Sequence, residues 1–190
     1  MVNGYAQGCI EVVLVHWPVV NKKGERIGSA VTNLDIHDIA RACKTYGVRR
    51  YWIVTPFEEQ CTLVQQIVEH WTKGHGGRNN PDRRDALHLV QVRLALDQVI
   101  AEVSDAYGVR PLVAATCARV QDNTLGYEAI QEHLKTERPM LLLFGTAWGL
   151  APEIMHRVDV TLPPIQGRSE YNHLSVRSAA SIILDRLLGS

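Results

Sequence analysis

The segment 139–144, Pro-Met-Leu-Leu-Leu-Phe, carries no polar side chain on either face. A strand alternates its side chains between two faces, so a run of this kind has to be covered on both. Such coverage is supplied by helical crossovers between parallel strands. Residues 10–16 (IEVVLVH), 51–55 (YWIVT) and 111–116 (PLVAAT) read as buried strands of the same kind, 86–93 adds another and 158–162 is a shorter sixth. Between them lie helical patterns. Ile36, Ile39, Ala40 and Cys43 form the apolar stripe of a helix that Asn33 or Asp35 caps, that runs to about Tyr46 and that Gly47 closes. Pro56 opens the next, with Glu58 and Glu59 in its first turn and Leu63, Val64, Ile67, Val68 and Trp71 inside. Residues 97–107, 127–137 and 173–188 are helical, the last burying Val176, Ala180, Ile183, Leu184 and Leu187. Only 74–84 (GHGGRNNPDRR) reads as a long irregular stretch. The expected fold is α/β: a mostly parallel sheet with helices on both faces, in one domain over 1–190.

Basic and acidic residues balance at 20 each, so no global positive field marks the chain for nucleic acid and any such contact needs a local patch. Cys9, Cys43, Cys61 and Cys117 have no metal-pair spacing and read as buried thiols in a reducing compartment. No apolar run reaches the roughly 20 residues of a membrane span, and no basic stretch followed by an apolar core opens the chain. The expectation is a cytoplasmic protein with no membrane partner and no metal.

In open parallel sheets, ligands bind beyond the carboxyl ends of the strands. The loops to watch follow His16, Thr55, Thr116, Phe144 and Leu162. Residues 144–150 (FGTAWGL) carry two glycines four apart, which let backbone approach closely. They match neither a dinucleotide fingerprint nor a P-loop, and no Gly-Lys-Ser/Thr occurs. Residues 162–175 (LPPIQGRSEYNHLS) are stiffened by two prolines and run into the last helix, with Asn172 or Ser175 as cap. Periodicity alone also allows a flavodoxin-like domain, whose site would follow His16, where no phosphate-binding glycine cluster stands.

The succession L-L-L-F-G-T, G-L, a short strand, L-P-P-I and N-H-L-S-V-R-S-A-A resembles the SPOUT methyltransferases. More narrowly it is similar to a small family of S-adenosylmethionine-dependent RNA methyltransferases, some fused behind tRNA guanine-N1 methyltransferase domains. Residues 12–18 and 32–41 (TNLDIHDIAR) resemble the same family, so the likeness covers nearly the whole chain. The resemblance implies a C-terminal trefoil knot over about 111–190, S-adenosylmethionine as cofactor, RNA as substrate and a homodimer through the C-terminal helix. It implies a cofactor site made of the loops after Thr116, at Gly145 and over 162–175. The matching positions are Thr116, Phe144, Gly145, Thr146, Leu162, Pro164, Ile165, Asn172, Leu174 and Ser175.

Methyl transfer asks the protein to align the acceptor and remove a proton. By position Ser175, Asn172 and Glu170 are candidates, and Arg168 suits a phosphate or an acceptor oxygen. His37 titrates in a range that suits proton removal. It sits among Asn33, Asp35, Asp38 and Arg41, where Asp38 and Arg41 are also spaced to pair. For RNA contact the basic loops supply Lys22, Lys23 and Arg26, then Arg78, Arg83 and Arg84 beside His75. Trp148 and Tyr171 suit stacking on a base or an interface. Ribose methyltransferases of the class carry a glutamate in the glycine loop, where Thr146, Ala147 and Trp148 stand here. That keeps a second reading open, a knotted cofactor- and RNA-binding module without catalysis.

Overall fold

The structure is a computed structural model and describes residues 10–169 and 171–189. In chain order its elements are β1 (Ile10–Val15), β2 (Val19–Val20), β3 (Arg26–Ile27), α1 (Asn33–Thr45), β4 (Tyr51–Val54), α2 (Glu58–Thr72), α3 (His75–Asn79), α4 (Pro81–Leu87), β5 (Val90–Arg93), α5 (Leu96–Tyr107), β6 (Leu112–Thr116), α6 (Tyr127–His133), β7 (Met140–Gly145), α7 (Pro152–Met155), β8 (Val160–Leu162) and α8 (Val176–Leu188). Six strands form one sheet in the order β5-β4-β1-β7-β6-β8. Every pairing in it is parallel. β2 and β3 form a separate antiparallel hairpin.

The two-sided burial read from the apolar runs is realised. Val12 and Leu14 join Ile36, Ile39, Ala180 and Leu184 in a core on one face of the sheet. Val13, Val15, Leu141 and Leu143 join Val99, Val103 and Ile154 on the other. α1, α2, α4, α6 and α8 contribute to the first core, α5 and α7 to the second.

β8 has an unusual seat. On one side it pairs with β6, Thr161 opposite Ala115 and Leu162 opposite Thr116. On the other side it meets the chain that has just left β6. Thr161 N–H donates to Asn123 O at 3.0 Å, and Leu125 N–H donates to Thr161 O at 2.9 Å. The Thr124 and Thr161 hydroxyls are 2.9 Å apart. The last strand therefore lies in a slot walled on both sides by residues 112–125. From there the chain returns to α8, which packs on α1, α6 and β7.

Several boundaries differ from expectation. Residues 74–84 are largely helical, as α3 and the start of α4. Asn80 Oδ1 accepts from Arg83 N–H at 3.0 Å and Pro81 takes the first helical position, so the Asn-Pro pair is a helix start. Ala86 and Leu87 end α4 rather than open β5. The cap of α1 is Thr32, which accepts from Asp35 N–H at 3.1 Å and donates to Asp35 Oδ2 at 2.6 Å. Leu63, expected inside α2, is 40% exposed. The hairpin and α7 were not foreseen, α6 is shorter at its end and α8 begins at Val176. Cys43 is buried, and burial raises its thiol pKa. Cys61 and Cys117 are only half-buried, and Cys9 lies outside the described residues.

Glu11, fully buried in β1, accepts from Trp52 Nε1–H at 2.6 Å. Burial raises its carboxyl pKa, against the lowering effects of that hydrogen bond, Arg50 and Arg49. An acid raised in the folded state binds its proton more tightly there than in the unfolded chain. Its stabilising contribution is complete below about pH 4.3 and is lost as pH rises through the folded value. Glu11→Gln is therefore expected to gain stability relative to the parent between pH 4.5 and 8, checked by urea unfolding of both proteins across that range.

Candidate cofactor site

The carboxyl ends of β6, β7 and β8 lie side by side, because Thr116 pairs with Leu162 and Ala115 with Leu143. Thr116 Oγ1 donates to Leu143 O at 3.2 Å, tying two strand ends together. Asn172 Nδ2 donates to Ala118 O at 3.1 Å, which joins the loop over 163–175 to the loop that leaves β6. Tyr127 Oη donates to Pro163 O at 3.4 Å and fixes the start of the same loop. The three loops expected to make a site thus leave the same end of the sheet, and the one after β6 and the one over 163–175 are in contact.

The glycine loop returns sharply on itself. A Cβ on Gly145 would stand 2.9 Å from Leu150 N and 3.1 Å from Gly149 C, so glycine is required first by the loop's own return. Ala147 takes a φ of 52° and Gly149 one of 116°. Trp148 N–H donates to Val20 O, and Val20 N–H donates to Gly149 O, each at 3.0 Å. The β2–β3 hairpin is thereby stitched to this loop, with the exposed Lys22 and Lys23 at its tip. Arg26 lies over Trp17, 5.5 Å from the ring centre, and pairs with Glu153 at 3.1 Å. Trp148 itself is 63% exposed beside this hairpin.

One feature of the loop escaped the sequence reading. Thr146 Oγ1 donates to Val15 O at 3.0 Å and makes a short hydroxyl contact with Ser29 Oγ. Ser29 Oγ in turn is 3.0 Å from His16 Nδ1. Burial lowers the His16 pKa to about 4, against a raising effect of Asp35, so this imidazole is neutral at physiological pH. The chain His16–Ser29–Thr146 ties the ends of β1 and β7 to the segment before α1. Its members are too far apart in sequence to suggest one another.

The remaining candidates fall into groups. Leu162 and Phe144 are buried and present backbone rather than side chain to the loops. Pro164, Ile165 and Asn172 are half-buried, and Arg168, Leu174 and Ser175 are exposed. Glu170 lies outside the described residues. Ser175 Oγ accepts from Ser178 N–H at 3.2 Å and caps α8. Arg177, which lies within the N-H-L-S-V-R-S-A-A succession but is not among the expected site residues, reaches from α8 to Asp35 at 3.1 Å and to Asp38 at 3.4 Å. Asp38 therefore pairs with Arg177 and not with Arg41. His37 stands elsewhere, in a cleft between α1, α2 and α4 whose lining includes none of Arg168, Asn172 and Ser175. Arg83 lines the same cleft, Arg84 pairs with Asp85 at 3.2 Å and Arg78 is exposed on α3. Among the described residues no group of His, Cys, Asp and Glu is placed to hold a metal ion, and no helix is long and apolar enough to cross a membrane.

The sequence pattern of a family described as SAM-dependent RNA methyltransferase matches residues 9–189. The chain belongs to this family. S-adenosylmethionine (SAM) is accordingly its cofactor. Over 176 residues the chain is 48% identical to a tRNA (guanine-N(1)-)-methyltransferase of Oleidesulfovibrio alaskensis, covering 93% of this chain and 41% of that protein. It thus spans less than half the length of that relative. An uncharacterized protein of Aquifex aeolicus is 38% identical and is covered over 86% of its length. Among solved structures, a probable methyltransferase from Bordetella pertussis superposes with a TM-score of 0.62 at 19% identity, over 97% of this chain and 96% of that one. The SpoU methyltransferase AviRb from Streptomyces viridochromogenes, in complex with AdoMet, superposes with a TM-score of 0.55 at 16% identity, over 96% and 58%. These likenesses show that the fold is the SPOUT one.

The loops suit the adenosine of such a cofactor. Among the described residues, the backbone N–H groups of Ile165, Gln166 and Gly167 donate to no protein acceptor, while the half-buried Ile165 supplies apolar surface. A flat, neutral heterocycle needs that combination of amide hydrogen bonds and apolar cover. Gly145→Ala is expected to weaken SAM binding at least tenfold while the chain stays folded, read by calorimetric titration beside circular dichroism, because the new methyl collides with loop backbone held by the hairpin.

Proposed function

We propose that this chain methylates a nucleotide of tRNA or rRNA as a cytoplasmic homodimer built through α8, with about 111–190 threaded as a trefoil knot. The observation that carries the reading is the seat of β8, which brings the loops after β6, β7 and β8 together. The slot formed by 112–125 and the return of α8 to α1 are the arrangement that a threaded chain needs.

The cofactor supplies a methyl group already activated on a sulfonium, so the protein's share is alignment, water exclusion and the acceptor's proton. Thr116, Gly145, Leu162, Pro164, Ile165 and Leu174 hold the adenosine, the first three fixed by the sheet end. Asn172, anchored on Ala118 O, orients the acceptor, with Ser175 and Glu170 beside it. Arg168 takes a phosphate on the RNA side. Lys22, Lys23 and Arg26 carry the backbone past the glycine loop, where Trp148 stacks on a base. Arg78 and Arg84 extend the basic surface along α3 and α4.

One observation favours the second reading, a cofactor- and RNA-binding module without turnover. The Thr146 hydroxyl is turned inward to Ser29 and Val15 O, so the glycine loop offers no proton acceptor. Turnover separates the two readings.

The deciding experiment is calorimetric titration with SAM and its demethylated product, beside NADH and FMN. Micromolar binding of the methionine compounds alone, about −8 kcal/mol, is expected, followed by transfer of labelled methyl to bulk tRNA or rRNA. Binding without transfer leaves the module; no binding by folded protein removes the proposal. Ser175→Ala is expected to cost about 1 kcal/mol of stability as a lost cap, measured by denaturant unfolding. A fall in kcat of a hundredfold or more alongside that modest loss is what a role at the acceptor predicts.

A further inference from the structure

α1, α2 and α4 enclose a cleft of about 480 Å3 that none of the three cofactor loops lines. Its construction is specific. Gly77 lets α3 lie directly on the end of α2, because a Cβ there would meet Trp71 O at 2.0 Å. That contact brings α4 over Trp71, and the Arg83 guanidinium carbon sits 4.6 Å from the indole centre. His37 of α1 meets the same indole edge-on at 5.5 Å.

Two polar atoms here lack partners. Arg83 Nε and His37 Nδ1 are both shut off from water, and neither has a hydrogen-bond partner among the described residues. Arg41, also on the cleft, pairs with no carboxylate among the described residues, and nor does Arg83. The cleft's single acid, Asp38, is held by Arg177 at 3.4 Å. A donor buried without an acceptor, as Arg83 Nε is, is costly, and the guanidiniums of Arg83 and Arg41 have no carboxylate partner, so the cleft suits an anion that arrives from outside. Burial lowers the His37 pKa, Arg83 and Arg41 lower it further and Asp38 opposes them. His70, also on the cleft, meets Trp71 edge-on at 5.3 Å. A planar guanidinium, an imidazole and an indole in one concavity match a phosphate ester carrying a base.

We propose that the cleft between α1, α2 and α4 is a second RNA contact, which takes a backbone phosphate of the substrate on Arg83 and His37 and its nucleotide against Trp71. The inference rests on the RNA methyltransferase reading and extends it. The cleft grips RNA away from the methyl-transfer loops and sets the register of the strand that reaches them. It gives Arg83 a role separate from that of Arg78 and Arg84.

The test uses the whole chain and three probes: inorganic phosphate, uridine 5′-monophosphate and uridine. Histidine ring nitrogens are followed by NMR. The two phosphates are expected to raise the His37 titration midpoint, uridine to leave it unmoved, and Arg83→Gln to abolish the response. With bulk tRNA, Arg83→Gln is expected to reduce the slope of log affinity against log salt by about one and to leave SAM affinity unchanged. A phosphate response with an unchanged tRNA slope marks an adventitious ion only and overturns the proposal. So does a His37 signal that no phosphate moves. These readouts need neither SAM nor turnover. A chain that binds phosphate here but fails to bind SAM would sink the methyltransferase reading, whereas one that methylates with His37 unmoved would sink the cleft alone.

Discussion

The hold on β8 from both sides, by its ladder with β6 and by the hydrogen bonds of Thr161 to Asn123 and Leu125, is the constraint on which the site depends. β8 is only three residues long and would not hold as an ordinary edge strand. It is secured because residues 112–116 and 123–125 close on it from opposite sides. Leu162 is thereby buried beside Thr116, and the loop that follows starts where the β6 and β7 loops already stand. α8 then returns to α1, where Arg177 bridges Asp35 and Asp38. Asp35 is also locked to the Thr32 cap, so the start of α1 and the start of α8 are fixed as one unit. A charge pair between half-buried groups gains more from such a network than it would alone on the surface.

The sheet was legible because two-sided burial leaves a plain mark. A run such as Met140–Gly145 has no alternation to misread, and five of the six strands lie within two residues of their expected bounds, whereas β5 opens at Val90 and not at Ala86. The stretch 74–84 was misread because its glycines suggested a loop. Gly77 is there for a close helix–helix approach that only the tertiary fold reveals, whereas Asn80-Pro81 carried a local helix-start signal that was present all along. Thr32 rather than Asn33 or Asp35 caps α1 for a similar reason: three polar residues within four positions compete, and the reciprocal bond between Thr32 and Asp35 decides.

The loops of the site were legible by their place after strands, but the side chains that brace them were not. Ser29 and Thr146 stand 117 residues apart and meet only when β1 and β7 pair. Asn172 was marked by its loop, yet its partner Ala118 offers a bare carbonyl that no sequence motif announces. Glycine at 145 was expected for the sake of a ligand, and the structure gives it a prior duty in the turn itself.

The stitching of the hairpin to residues 148–150 has a mechanical consequence. A two-stranded ribbon that shares backbone hydrogen bonds with a loop cannot tilt unless the loop tilts with it. A pull on Lys22 or Lys23 is therefore delivered to Gly149 and Leu150 through peptide groups, with no flexible side chain in between to absorb it. The hairpin works as a lever whose short arm is the glycine turn. Substrate seated on its tip would stiffen the turn, and a turn held firm by its own ligand would in return steady the tip.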